Sequence, residues 1–406
     1  MSGPAQTRRL LALGAILALG GWLRLGALGA DLPLEPGLTY APVEDAAWYV
    51  ETAARRVEGV ALEPEATPWD VPLWTSLATT WFRLWGAGPA AAHALGALCS
   101  LATVLALWRF LRPLGGDVAL AGAAALAVLY PSVLLGRSAL IYGPAALYLL
   151  ACAALWRLGQ GQPALRRAGC ELGAWALVLL GCWSLRPPLA ALAGGLFAAH
   201  VVRSARPGRW LAAGAALLVA GLGASLALPA LRALPAIDHF AYRLELHGFS
   251  LDPLRLAADL LRVGGDPSEH GSGFARLALL PLVAAAWGWL VSVERWPRLS
   301  PHARETLALL AGWLAGFYLA SLPFAGRPLR YWALIGPPLA GLVGVGLCMP
   351  RFSRPLRGLE LLAIAAPCGI VAAHAVDAAV EGWGGGALSL PASAGVALLG
   401  AGASAL

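Results

Sequence analysis

The chain of 406 residues contains no lysine and no asparagine, and its 29 basic residues are all arginine. Without asparagine there is no acceptor site for N-glycosylation. Charge is scarce altogether: 13% of residues carry one, about half the roughly 25% of a typical soluble domain. Against that, 59% of the residues are hydrophobic and the mean hydropathy is +0.69. This balance excludes an ordinary soluble domain and reads as a membrane protein. The net charge of +7 is then a matter of membrane topology before it is one of nucleic-acid binding. Cysteine is also rare. Of the six, only Cys170 lies outside an apolar run, and none falls in a long polar loop, so no disulfide framework is expected.

What the chain does have is long apolar runs. A membrane helix needs about 20 mostly apolar residues. Twelve candidates start near Leu10, Ala90, Asp117, Ser138, Glu171, Pro187, Trp210, Phe274, Thr306, Tyr331, Leu359 and Ala387. Pro391 and several Gly and Ser residues dilute the last, so about 11–12 transmembrane helices are expected. The fold class is an all-α polytopic membrane protein, one domain over 1–406 with 359–406 as peripheral spans. The first run, after Arg8 and Arg9, has an alternative reading as a signal peptide cleaved near Ala27 to Ala30. Arg24 speaks against it, because it falls where such a segment stays apolar.

The positive-inside rule tests this threading. With a cytoplasmic amino terminus, the even-numbered loops are cytoplasmic. They hold Arg109 and Arg112; Arg157, Arg166 and Arg167; Arg203, Arg206 and Arg209; Arg295, Arg298 and Arg304; and Arg351, Arg354 and Arg357. The acids collect on the other side, nine in 31–70 and six in 232–273. Acids scarcely affect topology, so the excess marks a polar face built from two long outer loops, 29–71 and 232–273. Loops of that length in a compact architecture are usually functional.

In the stretch APVEDAAWYVETAARRVEG, residues 41–59, Val43, Ala47, Val50, Ala54 and Val57 recur at helical spacing, and Asp45, Tyr49, Thr52 and Arg56 share another face. The expectation is a short amphipathic helix on the outer membrane surface with a carboxylate in its first turn. Asp45 and Glu44 as simple helix caps is an equally open reading of the same residues. Pro68 and Pro72 then break the chain before a second amphipathic segment whose Trp74, Trp81 and Trp85 suit a membrane interface.

At these residues the chain resembles the GT-C glycosyltransferases, in particular bacterial relatives of the protein O-mannosyltransferases and the lipid A aminoarabinose transferases. The family's first outer loop has an Asp four residues before a Tyr, then a Pro-Leu-aromatic step and a Gly; here these are Asp45, Tyr49, Pro72-Leu73-Trp74 and Gly86. GRSALIYG resembles its Arg-led fourth helix, WSLRPPLAAL its Leu-Arg-Pro turn, and GRPLRYWALIGPP its late Arg-Tyr segment. The similarity runs from about 8 to 348. Three positions depart from the pattern. Tyr142 stands where a second acid is common, Ala46 where an acid follows the key Asp, and Val71 where a Pro precedes Pro-Leu.

The resemblance implies a glycosyltransferase that moves a hexosyl or pentosyl group from a polyprenyl-phosphate donor to an extracytoplasmic acceptor hydroxyl. It implies a bacterial inner (plasma) membrane protein of the cell envelope with its active site on the extracytoplasmic side, and Asp45 as catalytic base. Chemically one carboxylate suffices. Glycoside hydrolases need two because an alkoxide leaves poorly without a proton, whereas a phosphate leaves well once its charge is stabilised. The base takes the acceptor proton as the oxygen attacks the anomeric carbon, and a single displacement inverts that centre.

Positive charge is at hand in Arg137, Arg186, Arg327 and Arg330, all at expected outer helix ends where topology does not ask for them. Arginine binds phosphate bidentately, and snorkelling to headgroups is the alternative. The expected substrate-binding set is therefore Glu44, Tyr49, Arg137, Tyr142, Arg186, Arg327, Arg330 and Tyr331, with Arg327 and Arg330 first for the phosphate. No cofactor is expected beyond a divalent cation as an option. His239, His247 and His270 share the second loop with acids but match no zinc spacing. Arg24 and Arg83 are expected to snorkel or pair with loop acids, and Arg55 and Arg56 to pair with Glu51 or Glu58. The partners expected are the lipid-linked donor, a lipid, glycan or protein acceptor, and membrane lipids, with no nucleic acid. Two other functions stay open: a transporter or flippase for lipid-linked glycans, and a non-catalytic member that only binds such a glycan.

Overall fold

The computed structural model describes residues 3–26, 41–60, 71–137, 141–185, 187–204, 208–209, 214, 295–321 and 332–348, with the backbone alone at 41–48 and a few other positions. All regular structure among the described residues is helical: α1 (Pro4–Leu25), α2 (Ala41–Glu58), α3 (Pro72–Trp85), α4 (Pro89–Leu111), α5 (Gly116–Val128), α6 (Tyr130–Arg137), α7 (Tyr142–Leu158), α8 (Ala164–Ser184), α9 (Ala191–Arg203), α10 (Pro301–Ser321) and α11 (Trp332–Cys348), with short 3-10 turns between some of them. Eight of the twelve expected spans coincide with helices; those starting near 210, 274, 359 and 387, and the loop 232–273, lie outside the described residues. Among the described residues one helix, Pro89–Leu114, is long and apolar enough to cross a membrane, and α5, α7, α9 and most of α11 are apolar but shorter.

The third expected span divides in two. Leu129 is extended, with φ −61° and ψ 113°, and ends α5; its carbonyl then caps α6 by accepting from the Val133 N–H at 2.9 Å. The cause is Pro131, which has no N–H to offer the carbonyl four residues back. The break leaves the last carbonyls of α5 without intrahelical partners.

Two close crossings hold the bundle together, as expected where small residues let backbones approach in an apolar medium. In the α9/α10 crossing a Cβ added at Gly194 would sit 2.6 Å from the Gly312 carbonyl, and one at Gly195 2.5 Å from the Leu309 carbonyl. In the α5/α11 crossing a Cβ at Gly344 would sit 2.6 Å from the Gly122 nitrogen. Facing away from the bundle, α8 exposes Leu165, Leu172 and Leu179, seven residues apart, at 87%, 70% and 68%. That stripe is an exposed apolar surface.

The loops assigned to one side by the positive-inside rule do meet at one end of the bundle. Arg9 of α1 pairs with Asp117 at the start of α5 at 3.1 Å, and the Cys348 thiol at the end of α11 donates to the Asp117 carbonyl at 3.5 Å. Arg157 at the end of α7 donates to the Phe110 and Arg109 carbonyls at the end of α4. Arg203 of α9 reaches Glu171 of α8 at 2.5 Å and Glu305 of α10 at 3.9 Å, and Gln160 donates to Glu305 at 2.8 Å. We call this the inner end. The five described cysteines are all free.

Candidate active site

The outer end is built on α3. Pro72 starts it and Gly86, at φ +87°, stops it with a conformation that only glycine adopts without strain. Trp81 Nε1 donates to the Ala91 carbonyl at 2.8 Å and pins α3 to the first turn of α4. The buried face is Trp74, Thr75, Ala78, Thr79 and Phe82, and both threonine hydroxyls donate to carbonyls four residues back. Trp74 is 1% exposed and Trp85 69%. Of the three tryptophans expected at a membrane interface, Trp85 is thus open to the surroundings while Trp74 is core. It packs inward because α3 has α2, α4 and α8 as protein neighbours.

α2 lies across α3 and touches α4. Its buried residues are Tyr49, Thr52 and Ala53, at 1%, 3% and 0% exposure. Val50, Ala54 and Val57 of the apolar stripe are only half-buried. The face of Tyr49 and Thr52 therefore turns onto the protein, because the small Ala53 beside Thr52 lets α2 approach closely. Glu44 and Asp45 lie in the first turns of this helix, Asp45 one turn before Tyr49; their side chains are outside the described residues. On the exposed side Arg55 pairs with Glu51 at 2.6 Å, as the spacing predicts.

Beneath this layer two arginines are buried. Arg24, near the end of α1, is 0% exposed and uses all five of its N–H groups. Nε donates to Ser100 Oγ at 2.8 Å, Nη1 to the Gly20 and Ala127 carbonyls at 3.2 and 2.7 Å, and Nη2 to the Leu126 carbonyl and Ser132 Oγ at 3.1 and 3.2 Å. The carbonyls of Leu126 and Ala127 are those freed by the break at Leu129. Arg24 is thus the cap of α5, placed at the negative end of its dipole. Snorkelling or pairing with loop acids, the role its sequence position suggests, does not occur.

Arg137, at the end of α6, is 4% exposed and returns the arrangement, donating to the Leu23 and Gly26 carbonyls at the end of α1 at 3.1 and 2.8 Å. Each arginine caps the helix that carries or adjoins the other. Gly136 permits it: a Cβ there would sit 2.3 Å from Ser100 Oγ. Tyr142 is 1% exposed and lines a small cavity with Ser100, Thr103, Ser132 and Gly143, with room for about one water molecule.

Of the expected site residues, Tyr49, Arg137 and Tyr142 are therefore buried parts of the outer end, with Arg137 and Tyr142 in adjoining turns. Arg186, Arg327, Arg330 and Tyr331 lie outside the described residues. Among the described residues no three His, Cys, Asp or Glu side chains group as metal ligands. The role of Arg24 is the one sequence reasoning missed. Its signal was the Tyr130-Pro131 step, which announces a helix break and so a demand for a donor.

No protein-family model and no curated protein matches the chain. Two solved structures do. One is ArnT from Cupriavidus metallidurans bound to undecaprenyl phosphate, 16% identical, with a TM-score of 0.59 over 98% of this chain and 71% of that one. The other is the same protein in the apo state, 16% identical, with a TM-score of 0.56 over 99% and 72%. The chain has the fold of these ArnT structures along nearly its whole length. The GT-C resemblance carried by the motifs is thereby shown as fold.

Proposed function

We infer that the protein is a membrane glycosyltransferase that moves a sugar from a polyprenyl-phosphate donor to an acceptor hydroxyl on the extracytoplasmic side of a bacterial inner membrane. The observation that carries this reading is the likeness over 98% of the chain to a structure holding undecaprenyl phosphate. The acceptor oxygen attacks the anomeric carbon, its proton passes to Asp45, the bond from that carbon to the phosphate oxygen breaks, and polyprenyl phosphate leaves. The centre is inverted. Base catalysis of this kind supplies about 10²–10⁴ in rate.

The phosphate charge falls to Arg186, Arg327 and Arg330. Arg137 is less suited to a direct contact, because two of its donors already hold backbone carbonyls. Burial of Tyr142 at the position of the family's second acid supports a site with one carboxylate. The donor half of the proposal is tested by binding of undecaprenyl phosphate to purified protein. Arg327→Ala with Arg330→Ala should weaken it at least roughly tenfold, in line with loss of a charge-assisted hydrogen bond, while helical content is unchanged. Unchanged affinity removes both arginines from the site.

A further inference from the structure

One side of α4 forms a seam that the outer-end chemistry does not use. Leu98, Leu105, Arg109 and Arg112 follow one another at spacings of seven, four and three, so they share a face. Arg112 keeps helical torsions, φ −50° and ψ −35°, so the register continues past the end of the helix. All four are exposed, the leucines at 41% and 44%. The seam is about 21 Å long at 1.5 Å per residue, and it lies on the one described stretch that is long and apolar enough to cross a membrane. On the membrane reading proposed above, on which this inference rests, its polar tip stands at the membrane boundary.

Two arginines at such a place usually cap the helix or pair with an acid. Here the capping is done from elsewhere: Arg157 of α7 donates to the Arg109 and Phe110 carbonyls. The nearby Asp117 is taken by Arg9. The guanidinium groups of Arg109 and Arg112 make no ion pair or hydrogen bond with a described residue, and that of Arg112 is steadied over the Trp108 ring at 5.2 Å. Leu158, which follows Arg157 at the end of α7, is 67% exposed. Cations without an acid partner among the described residues thus follow exposed leucines along one face.

We propose that the inner end of α4 binds an anionic phospholipid, its phosphate held by Arg109 and Arg112 and an acyl chain lying along Leu105 and Leu98. Arginine suits a phosphate diester through its forked donors, and basic residues next to a membrane helix favour anionic headgroups.

The test is native mass spectrometry of the full-length protein, delipidated and then offered dioleoyl phosphatidylglycerol or dioleoyl phosphatidylcholine. The anionic lipid should be retained roughly tenfold more strongly. Arg109→Gln with Arg112→Gln should lose that preference, while Arg8→Gln with Arg298→Gln, two exposed inner arginines off the seam, should keep it. Leu98→Ala with Leu105→Ala keeps the charges and should lower retention severalfold, which covers the case in which the arginine variant fails to fold. Soluble glycerophosphate should not displace the lipid. Equal retention of the two lipids, equal loss in the off-seam variant, no effect of the leucine variant, or displacement by glycerophosphate would each overturn the proposal.

Discussion

Among the described residues, most of the ion-paired arginines of the bundle stand at one end, and its two buried arginines at the other. At the inner end Arg9, Arg167 and Arg203 are at least partly exposed and are answered by acids, Arg9 by Asp117, Arg167 and Arg203 by Glu171, and Arg203 again by Glu305, while Arg157 donates to the carbonyls that end α4. At the outer end Arg24 and Arg137 are buried, Arg24 bonded to carbonyls and hydroxyls and Arg137 donating to the two carbonyls that end α1. Burying a charge is costly, yet each of these two sits on a helix end whose carbonyls would otherwise be orphaned. Arg9 and Arg203 clamp neighbouring elements through acids; the buried Arg24 and Arg137 complete helix ends. Arg24 and Arg137 are therefore poorly suited to meet a lipid phosphate, which is why the proposal gives that charge to Arg186, Arg327 and Arg330.

The sharpest way to break this contrast is Arg24→Met. It orphans the Leu126 and Ala127 carbonyls, at about 1–3 kcal/mol each, so detergent-solubilised protein should unfold at a much lower SDS fraction than wild type. A shift no larger than that of an inner-end variant would contradict the capping role. Gly136→Ala comes next. Its Cβ would meet Ser100 Oγ at 2.3 Å, and overpacking of this kind costs about 1–3 kcal/mol. Combining it with Ser100→Gly should recover part of the loss.

Smaller effects are expected at the inner end. Arg203→Gln should cost about 1–2 kcal/mol, because Arg167 and His200 remain within 3.9 Å of Glu171. Smallest is Arg9→Gln. The side chains of that pair are 47% and 72% exposed, and a change within about 0.5 kcal/mol is expected. If Arg9→Gln proved as damaging as Arg24→Met, the distinction between the two ends would collapse.

Much of this architecture is legible in the sequence because lipid demands long apolar helices and arginine marks one side of them. The helices expected to start near 90, 306 and 331 begin at Pro89, Pro301 and Trp332, and the loops read as cytoplasmic converge at one end. Periodicity fails where a helix has two environments. In α2 it separates Tyr49 and Thr52 from the apolar stripe but cannot tell that protein, not lipid, lies under them. Likewise, Trp74 and Trp85 look alike in sequence, and only the neighbours of α3 make one core and the other surface. Arg24 was hidden for a different reason: its partners are more than 70 residues away in Ser100, Leu126, Ala127 and Ser132. The candidate base, Asp45, is visible only through its motif, since a carboxylate ahead of a Tyr on an amphipathic helix is equally what a cap would look like.

The most direct test of the central claim is sugar transfer by lipid-reconstituted protein given radiolabelled polyprenyl-phosphate sugars and an envelope acceptor fraction, wild type beside Asp45→Asn. The account predicts label in the acceptor with wild type and a fall of about 10²–10⁴ in the variant, with donor binding and helical content unchanged. Transfer by Asp45→Asn at the wild-type rate would contradict the assignment of the base, and bound donor without transfer by either protein would contradict the transferase reading itself.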